Sequence, residues 1–360
     1  MKLVIFGLTI SSSWGNGHAT IWRGLLNELI TRGHDIVFFE RDVAYYAAHR
    51  DLVELPGGLL VLYREWEQIA SMARRELSAA DAAIVSSYCP DGLVATELVC
   101  ESSALRVFYD LDTPVTLSRF RAGESLSYLG ERGLVDFDLV LSFTGGGALQ
   151  ALEAELGATQ VAPLYGSVDP QTHRSVAPNE RFRASLSYLG TFASDRQESL
   201  SDLFVQPARA MPDQRFVIGG AQYPQDFPWS PNIFFVRHLA PADHPAFFCS
   251  SRLTLNVTRR IMREMGWCPS GRLFEASGCG VPIISDQWEG LDQFFKPEHE
   301  ILIARESNDV IAALQRDDEE LRQIASAARE RVLARHTARH RAEELEELLA
   351  NARAGEALEI

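Results

Sequence analysis

Apolar and polar positions alternate along this chain in two recurring lengths, short unbroken apolar runs and longer stretches of helical period. Lys2 to Leu8 is the first run; a polar stretch from Thr9 to His18 follows, then Thr20 to Arg32 with helical spacing. Gly33-His34 closes that helix, Asp35 to Phe39 forms the next run, and Glu40-Arg41-Asp42 stands at its carboxyl end. Further runs at Ala82 to Val85, Leu105 to Tyr109 and Leu139 to Phe143 each lead into polar or glycine-rich loops. Buried runs separated by helices predict a parallel sheet covered on both faces.

Val161 to Pro178 carries a short apolar run and then Gly166, Asp169, Pro170 and Pro178, so it reads as a linker. The series restarts at Leu186 to Leu189 and continues through Arg215 to Ile218, Ile233 to Val236, Leu253 to Val257 and Val281 to Ser285. From Asp317 to Asn351, leucines at helical intervals predict one or two terminal helices. The expected fold is α/β, with two facing Rossmann-like domains over residues 1–170 and 180–335 and mostly parallel sheets. A terminal helix and tail over 336–360 are expected to pack back on the first domain. The length of 360 residues suits two domains, and ligands of such sheets sit beyond the carboxyl ends of the strands.

Composition narrows the partners. With 46% hydrophobic and 23% charged residues the chain is an ordinary globular protein. A net charge of −15 repels polyanions and so argues against nucleic acid and against anionic lipid. No stretch is apolar for long enough to be a transmembrane segment. Cys89, Cys100, Cys249, Cys268 and Cys279 form no C-x-x-C pair, are odd in number and follow no secretory leader, which predicts a reduced cytoplasmic location. Lys2 and Lys296 are the only lysines, so nearly all positive charge is arginine, read first as genomic bias and second as phosphate chemistry.

The densest chemical signal is Pro269-Ser270-Gly271-Arg272-Leu273-Phe274-Glu275-Ala276-Ser277-Gly278-Cys279-Gly280-Val281-Pro282-Ile283-Ile284-Ser285-Asp286. A helix starting near Ser270 and Gly271 offers free N–H groups and a dipole to an anion such as a diphosphate. Arg272 in its first turn adds a bidentate contact, and Glu275 one turn on faces where a ribose diol would bind. Gly278 and Gly280 suit a tight turn into the next strand. The bland alternative is an ordinary helix-to-strand turn with a surface glutamate.

This stretch resembles the donor-binding segment of glycosyltransferases with the two-Rossmann GT-B fold, in particular the CgeB-like branch, where an R-L-F-E-A…G pattern precedes a late E-I-L segment. Glu300-Ile301-Leu302 stands in that last place. The resemblance implies that Glu275 binds the nucleotide ribose. Many retaining relatives carry another glutamate eight positions earlier, where this chain has Trp267.

A second signal is the loop after the first strand of the second half, with Gly190, Thr191 and Arg196, where backbone and guanidinium meet a diphosphate; a turn with a solvated arginine is its plain alternative. Gly219 and His238 follow the next two strands, where relatives approach the base and sugar, although a lone histidine at a strand end more often satisfies backbone. In the first half, Gly15, Asn16, Gly17 and His18 open the first helix, but Ile21 and Trp22 break the G-x-G-x-x-G pattern of a dinucleotide site. Gly17-His18 followed by Gly33-His34 is similar to the N-terminal signature of inverting GT-B enzymes, which implies that His18 deprotonates the acceptor hydroxyl on the acceptor-side domain. Capping of the helix, or binding of substrate phosphate, is the competing reading of His18.

Asp110-Leu111-Asp112 imitates a metal-binding D-x-D, yet Asp112 suits better the task of orienting His18, with a plain strand-terminating aspartate as an equal alternative. The expectation is a glycosyltransferase moving a sugar from a nucleoside diphosphate sugar, uridine-linked, to a hydroxyl of a small molecule or glycan, with no cofactor and no metal. A nucleotide-sugar epimerase and an inactive nucleotide-sugar-binding or surface-assembly protein remain as alternatives.

Overall fold

The computed structural model describes residues 1–355. Its contacts divide the chain into two units, Met1–Tyr165 joined by the C-terminal stretch from Ala338, and Gly166–Thr337. Of the tail expected over 336–360, residues 356–360 lie outside the described residues.

The first unit is built on seven parallel strands, β1 (Lys2–Gly7), β2 (Asp35–Arg41), β3 (Leu59–Tyr63), β4 (Ala82–Ser86), β5 (Leu105–Asp110), β6 (Leu139–Ser142) and β7 (Val161–Pro163). Their order is β3-β2-β1-β4-β5-β6-β7. Val4 pairs with Val37 on one side and Ala83 on the other, which puts the unbroken apolar run of β1 at the centre of the sheet. Two strands go beyond the sequence pattern. β3 is a half-exposed edge strand, and β7 has three residues within the expected linker, formed by pairing Val161 with Val140.

Leu3, Ile5, Trp22, Leu25, Phe38 and Ile84 form one core with Ala342, Leu345 and Leu349 of the helix Ala338–Ala354. That last helix therefore belongs to the first unit, lying against the helix His18–Thr31. Burying Leu345 and Leu349 contributes roughly 1.5–3 kcal/mol each. Glu346 adds a bond to Arg32 at 2.6 Å and to His34 Nε2 at 2.6 Å, while His34 Nδ1 meets the amino group of Met1 at 3.1 Å. His34 is thus a clasp for the two chain ends of this unit.

The second unit repeats the plan with β8 (Ala184–Leu189), β9 (Phe216–Gly220), β10 (Ile233–Arg237), β11 (Ser251–Asn256), β12 (Ile283–Asp286) and β13 (Leu302–Ala304), ordered β10-β9-β8-β11-β12-β13 and all parallel. Leu302 of the E-I-L segment starts edge strand β13, pairing with Ile284. In both sheets the connection reverses direction beside the first strand, between β1 and β4 and between β8 and β11. Ligands of open α/β sheets bind beyond the carboxyl ends at such points.

Candidate functional site

In the second unit, the loop after β8 and the helix Gly271–Cys279 bring two arginines together. Arg196 ends the short turn Ser194–Arg196, which Arg259 steadies through a 3.0 Å bond from Nε to Asp195. Its Nη1 donates to the Tyr188 hydroxyl at 2.8 Å. Arg272 lies in the first turn of the helix Gly271–Cys279. Burial, and then the charge of Arg196, push its pKa below the usual arginine value, outweighing attraction to Tyr188 and Glu275. The Nε atoms of Arg196 and Arg272 and the hydroxyl of Tyr223 are all sealed from solvent without a hydrogen-bond partner. A cluster of donors with positive charge and unmet bonds is chemically a receptor for an anion. Tyr188 and Tyr223 escape a sequence reading because tyrosines beside strands usually read as core.

Ser270 is the N-cap of this helix in extended conformation, and its side chain makes no capping bond. The N-terminal amides of Gly271 and Arg272 stand ahead of the first intrahelical bonds. Glu275, buried one turn further along, lies 3.9 Å from His173 Nε2 and 3.7 Å from His244 Nδ1. Burial alone would raise its pKa, but His173, His244 and Arg272 outweigh that and hold it at about 2, so the carboxylate is ionised at neutral pH. Neither histidine carries a recognisable spacing in the sequence. His173 reaches Glu275 because Gly278 lets the helix lie against the preceding segment: a Cβ there would stand 2.9 Å from Val168 and 3.1 Å from the His173 carbonyl. Close packing, not the turn, thus explains Gly278, while Gly280 makes the turn with φ +77°.

The remaining second-unit candidates are less central. Gly190 donates to the Gly219 carbonyl at 2.9 Å, and Thr191 stands half-exposed in the loop beyond it. Gly219 is enclosed by Leu189 and Phe247, each 3.1 Å from where a Cβ would lie, so its missing side chain serves packing. His238 has φ +46° and donates its backbone N–H to Gly220, tying the end of β10 to β9. Trp267 also has a left-handed backbone, φ +49°, and its ring fills the space beside Gly290, where a Cβ would come within 2.6 Å. Trp267 is therefore an aromatic clamp between two loops.

In the first unit, a second cluster forms at the turn between β1 and β4. Gly17 is the N-cap of the first helix, and the Asn16 side chain just before it accepts the His18 N–H at 3.1 Å, so the His18 ring makes no capping bond. His18 Nε2 lies 3.5 Å from Asp112 Oδ2, the Tyr88 hydroxyl donates to the same oxygen at 3.0 Å, and His18 Nδ1 is sealed without a partner. Gly15 takes φ +60°, and a Cβ at Gly17 would meet nothing within 4 Å, leaving open surface beside His18. Tyr88, absent from the sequence candidates, takes φ +64°, a strained conformation of the kind found at functional sites. Burial, and then the charge of Asp112, raise its pKa far above the ordinary tyrosine range.

Asp110 points into the unit. Its Oδ1 accepts from the Asp112 N–H at 3.1 Å and from Thr116 at 3.0 Å, while Oδ2 is sealed without a partner. Burial raises its pKa to about 6. The two aspartates of the D-x-D imitation thus do separate things.

Residues 196–347 match the family model described as glycosyl transferase-like. The structure is similar to sucrose-phosphate synthase of Thermosynechococcus elongatus at a TM-score of 0.71 and 16% identity, covering 99% of this chain and 100% of that one. It is similar to an alpha-glucosyltransferase solved in complex with UDP, at 0.70 and 12% identity over 97% and 100%. Anabaena HepE, solved with UDP and glucose, aligns at 0.67 and 13% identity over 97% and 99%. A search of curated proteins finds no significant match. The chain has the GT-B fold of glycosyltransferases, with two parallel Rossmann-like sheets of seven and six strands. Within it, residues 196–347 carry a glycosyl transferase-like domain. Among the described residues no helix is long and apolar enough to cross a membrane.

Proposed function

We propose that the protein transfers a sugar from a nucleoside diphosphate sugar, uridine-linked, to an acceptor hydroxyl. The observation that carries this reading is the pair Arg196 and Arg272, whose sealed, unpartnered Nε atoms stand beside the start of the helix that bears Glu275. The diphosphate of the donor would take up those donors together with the Gly271 and Arg272 amides, and its negative charge grows as the sugar–oxygen bond breaks, so the same groups stabilise the leaving group. Glu275, ionised and recessed, would accept from the ribose hydroxyls. Two arginines and a helix terminus supply the positive charge that a metal provides elsewhere, so the reaction is read as metal-independent and cofactor-free.

On the first unit, His18 would take the proton of the acceptor hydroxyl, with Asp112 balancing the imidazolium that forms and Tyr88 fixing the Asp112 carboxylate. UDP in the two related structures named above supports the choice of nucleotide. The donor sugar and the acceptor are to be found by incubating the protein with a panel of nucleotide sugars and following calorimetry and product mass. Binding of UDP-sugars with release of UDP supports the reading; an epimerised donor, or binding without turnover of any acceptor, refutes transfer.

A further inference from the structure

Glu275 and its two histidines have a geometry that ribose recognition does not require. His173 Nε2 and His244 Nδ1 are 3.4 Å apart, and the Glu275 carboxylate lies 3.9 Å from the first and 3.7 Å from the second. The first of these distances is to Oε1 and the second to Oε2, so the two nitrogens and the carboxylate surround a space in which small side-chain rotations would reach zinc–ligand lengths of about 2.0–2.2 Å. One carboxylate oxygen and the two ring nitrogens all fall within 4.8 Å of one another. A second observation points the same way. His244 Nε2 donates to the Leu239 carbonyl at 3.3 Å, which holds the ring with Nδ1 turned towards Glu275 and His173. Metal-bound histidines are held in this manner, the far nitrogen donating to a backbone carbonyl. His173 Nδ1 is sealed without a partner, so no bond opposes the tautomer that ligates through Nε2.

We propose that His173, His244 and Glu275 form a binding site for a zinc-like transition-metal dication, with a fourth position left for water. Its ligands are two imidazoles and a carboxylate, a set that suits zinc over magnesium or calcium. The positive charge of Arg272, one turn before Glu275, opposes a further cation, so the site is weaker than a cysteine-rich structural zinc centre. A consequence follows from the proposed function, on which this part alone rests: a metal on Glu275 takes the oxygens that the ribose needs. Zinc and the nucleotide sugar then exclude one another, and zinc acts as an inhibitor, not a catalyst.

The test is calorimetric titration of zinc chloride into the full-length protein after treatment with EDTA and dialysis, repeated on His244→Gln and Glu275→Gln, with thermal melts to show that both variants are folded. One zinc per chain, with affinity at least tenfold weaker in each folded variant, is expected, and cobalt should give the visible absorption of four-coordinate nitrogen and oxygen ligation. No zinc binding by the wild type, or unchanged affinity in both variants, overturns the site. A separate UDP titration with and without zinc keeps the two readings apart. UDP affinity that is strong without zinc and indifferent to bound zinc removes Glu275 from the ribose and leaves the metal site standing. Intact UDP binding in a protein that takes up no zinc does the reverse.

Discussion

Replacing Arg272 by methionine should make the empty protein more stable and the donor complex weaker. The guanidinium costs the fold free energy, since burial and the neighbouring Arg196 lower its pKa while it remains charged at neutral pH, and its Nε has no partner. A buried donor left unsatisfied costs about 1–3 kcal/mol. Methionine keeps most of the stem volume and removes both the orphan donor and the repulsion. Its attraction to Glu275 works in the opposite direction, but the net shift of Arg272 is downward, so the repulsive and desolvation effects win. The expected gain is about 1–3 kcal/mol, and at roughly 2–4 °C per kcal/mol for a unit of this size the melting temperature should rise by several degrees.

The loss on the other side is larger in its consequence. A charged hydrogen bond to phosphate is worth about 1.5–3 kcal/mol, so UDP affinity should fall at least tenfold. Differential scanning calorimetry with and without UDP reads both quantities in one experiment. Wild type should melt lower than Arg272→Met when empty and gain more from UDP. A variant that melts below wild type while keeping its UDP increment would show that Arg272 serves the fold, and would sink the anion-receptor argument.

Glu275→Ala should remain folded and lose at least tenfold in UDP-sugar affinity by calorimetry, given about 1.5–3 kcal/mol for a charged hydrogen bond to the diol; unchanged affinity refutes the ribose assignment. His18→Ala should still bind UDP yet lose about 10² to 10⁴ in turnover, and the wild-type product should be inverted by NMR; near-normal turnover or a retained product removes His18 as base. Turnover should persist in excess EDTA, and its loss with rescue by manganese would restore the metal reading of Asp110 and Asp112. Asp110 has a folded pKa raised to about 6 from 3.8, so the native state binds the proton more readily and the burial cost is absent at low pH and complete above pH 6. Asp110→Asn should therefore exceed wild type in stability at pH 7 by up to about 3 kcal/mol, with the gap closing towards pH 4 in urea titrations; a gap independent of pH refutes the assignment.

The central strands were legible because β1, β4, β5, β8 and β11 are buried on both faces and read as unbroken apolar runs. β3, β7 and β13 were not, since edge strands of three to five residues owe their existence to pairing, as Val161 does to Val140. The helix Gly271–Cys279 and its start at Ser270 were legible because a helix start leaves a compact local pattern. The groups that complete it were not. His173 and His244 come from segments about 100 and 30 residues away in sequence, and their approach to Glu275 depends on tertiary packing at Gly278. Tyr88 reaches Asp112 through a left-handed backbone that no local pattern of Ser87-Tyr88-Cys89 announces. The second half of the proposed signature, Gly33-His34, is a structural clasp on Glu346 and the amino terminus.

Native folds leave few buried polar atoms unsatisfied, because each one costs free energy that nothing in the folded chain returns. Here His18 Nδ1 and Asp110 Oδ2 lie near the carboxyl ends of β1 and β5, and Arg196 Nε, Arg272 Nε, the Tyr223 hydroxyl and His173 Nδ1 lie in the loops and helix around β8 and β11. These six atoms lie near the two reversal points of the sheets; Trp22 Nε1, Arg215 Nε, Ser277 Oγ and Trp288 Nε1 are sealed without a partner as well. On the second unit the orphan atoms are mostly donors and the nearby charge is positive, so a nucleoside diphosphate would satisfy them. On the first unit the His18 Nδ1 and Asp110 Oδ2 orphans lie near another carboxylate, Asp112, which would suit a proton in transit. Under the proposed function, phosphate binding would fall to the second unit and proton transfer to the first. A transferase acting on a nucleotide sugar needs both.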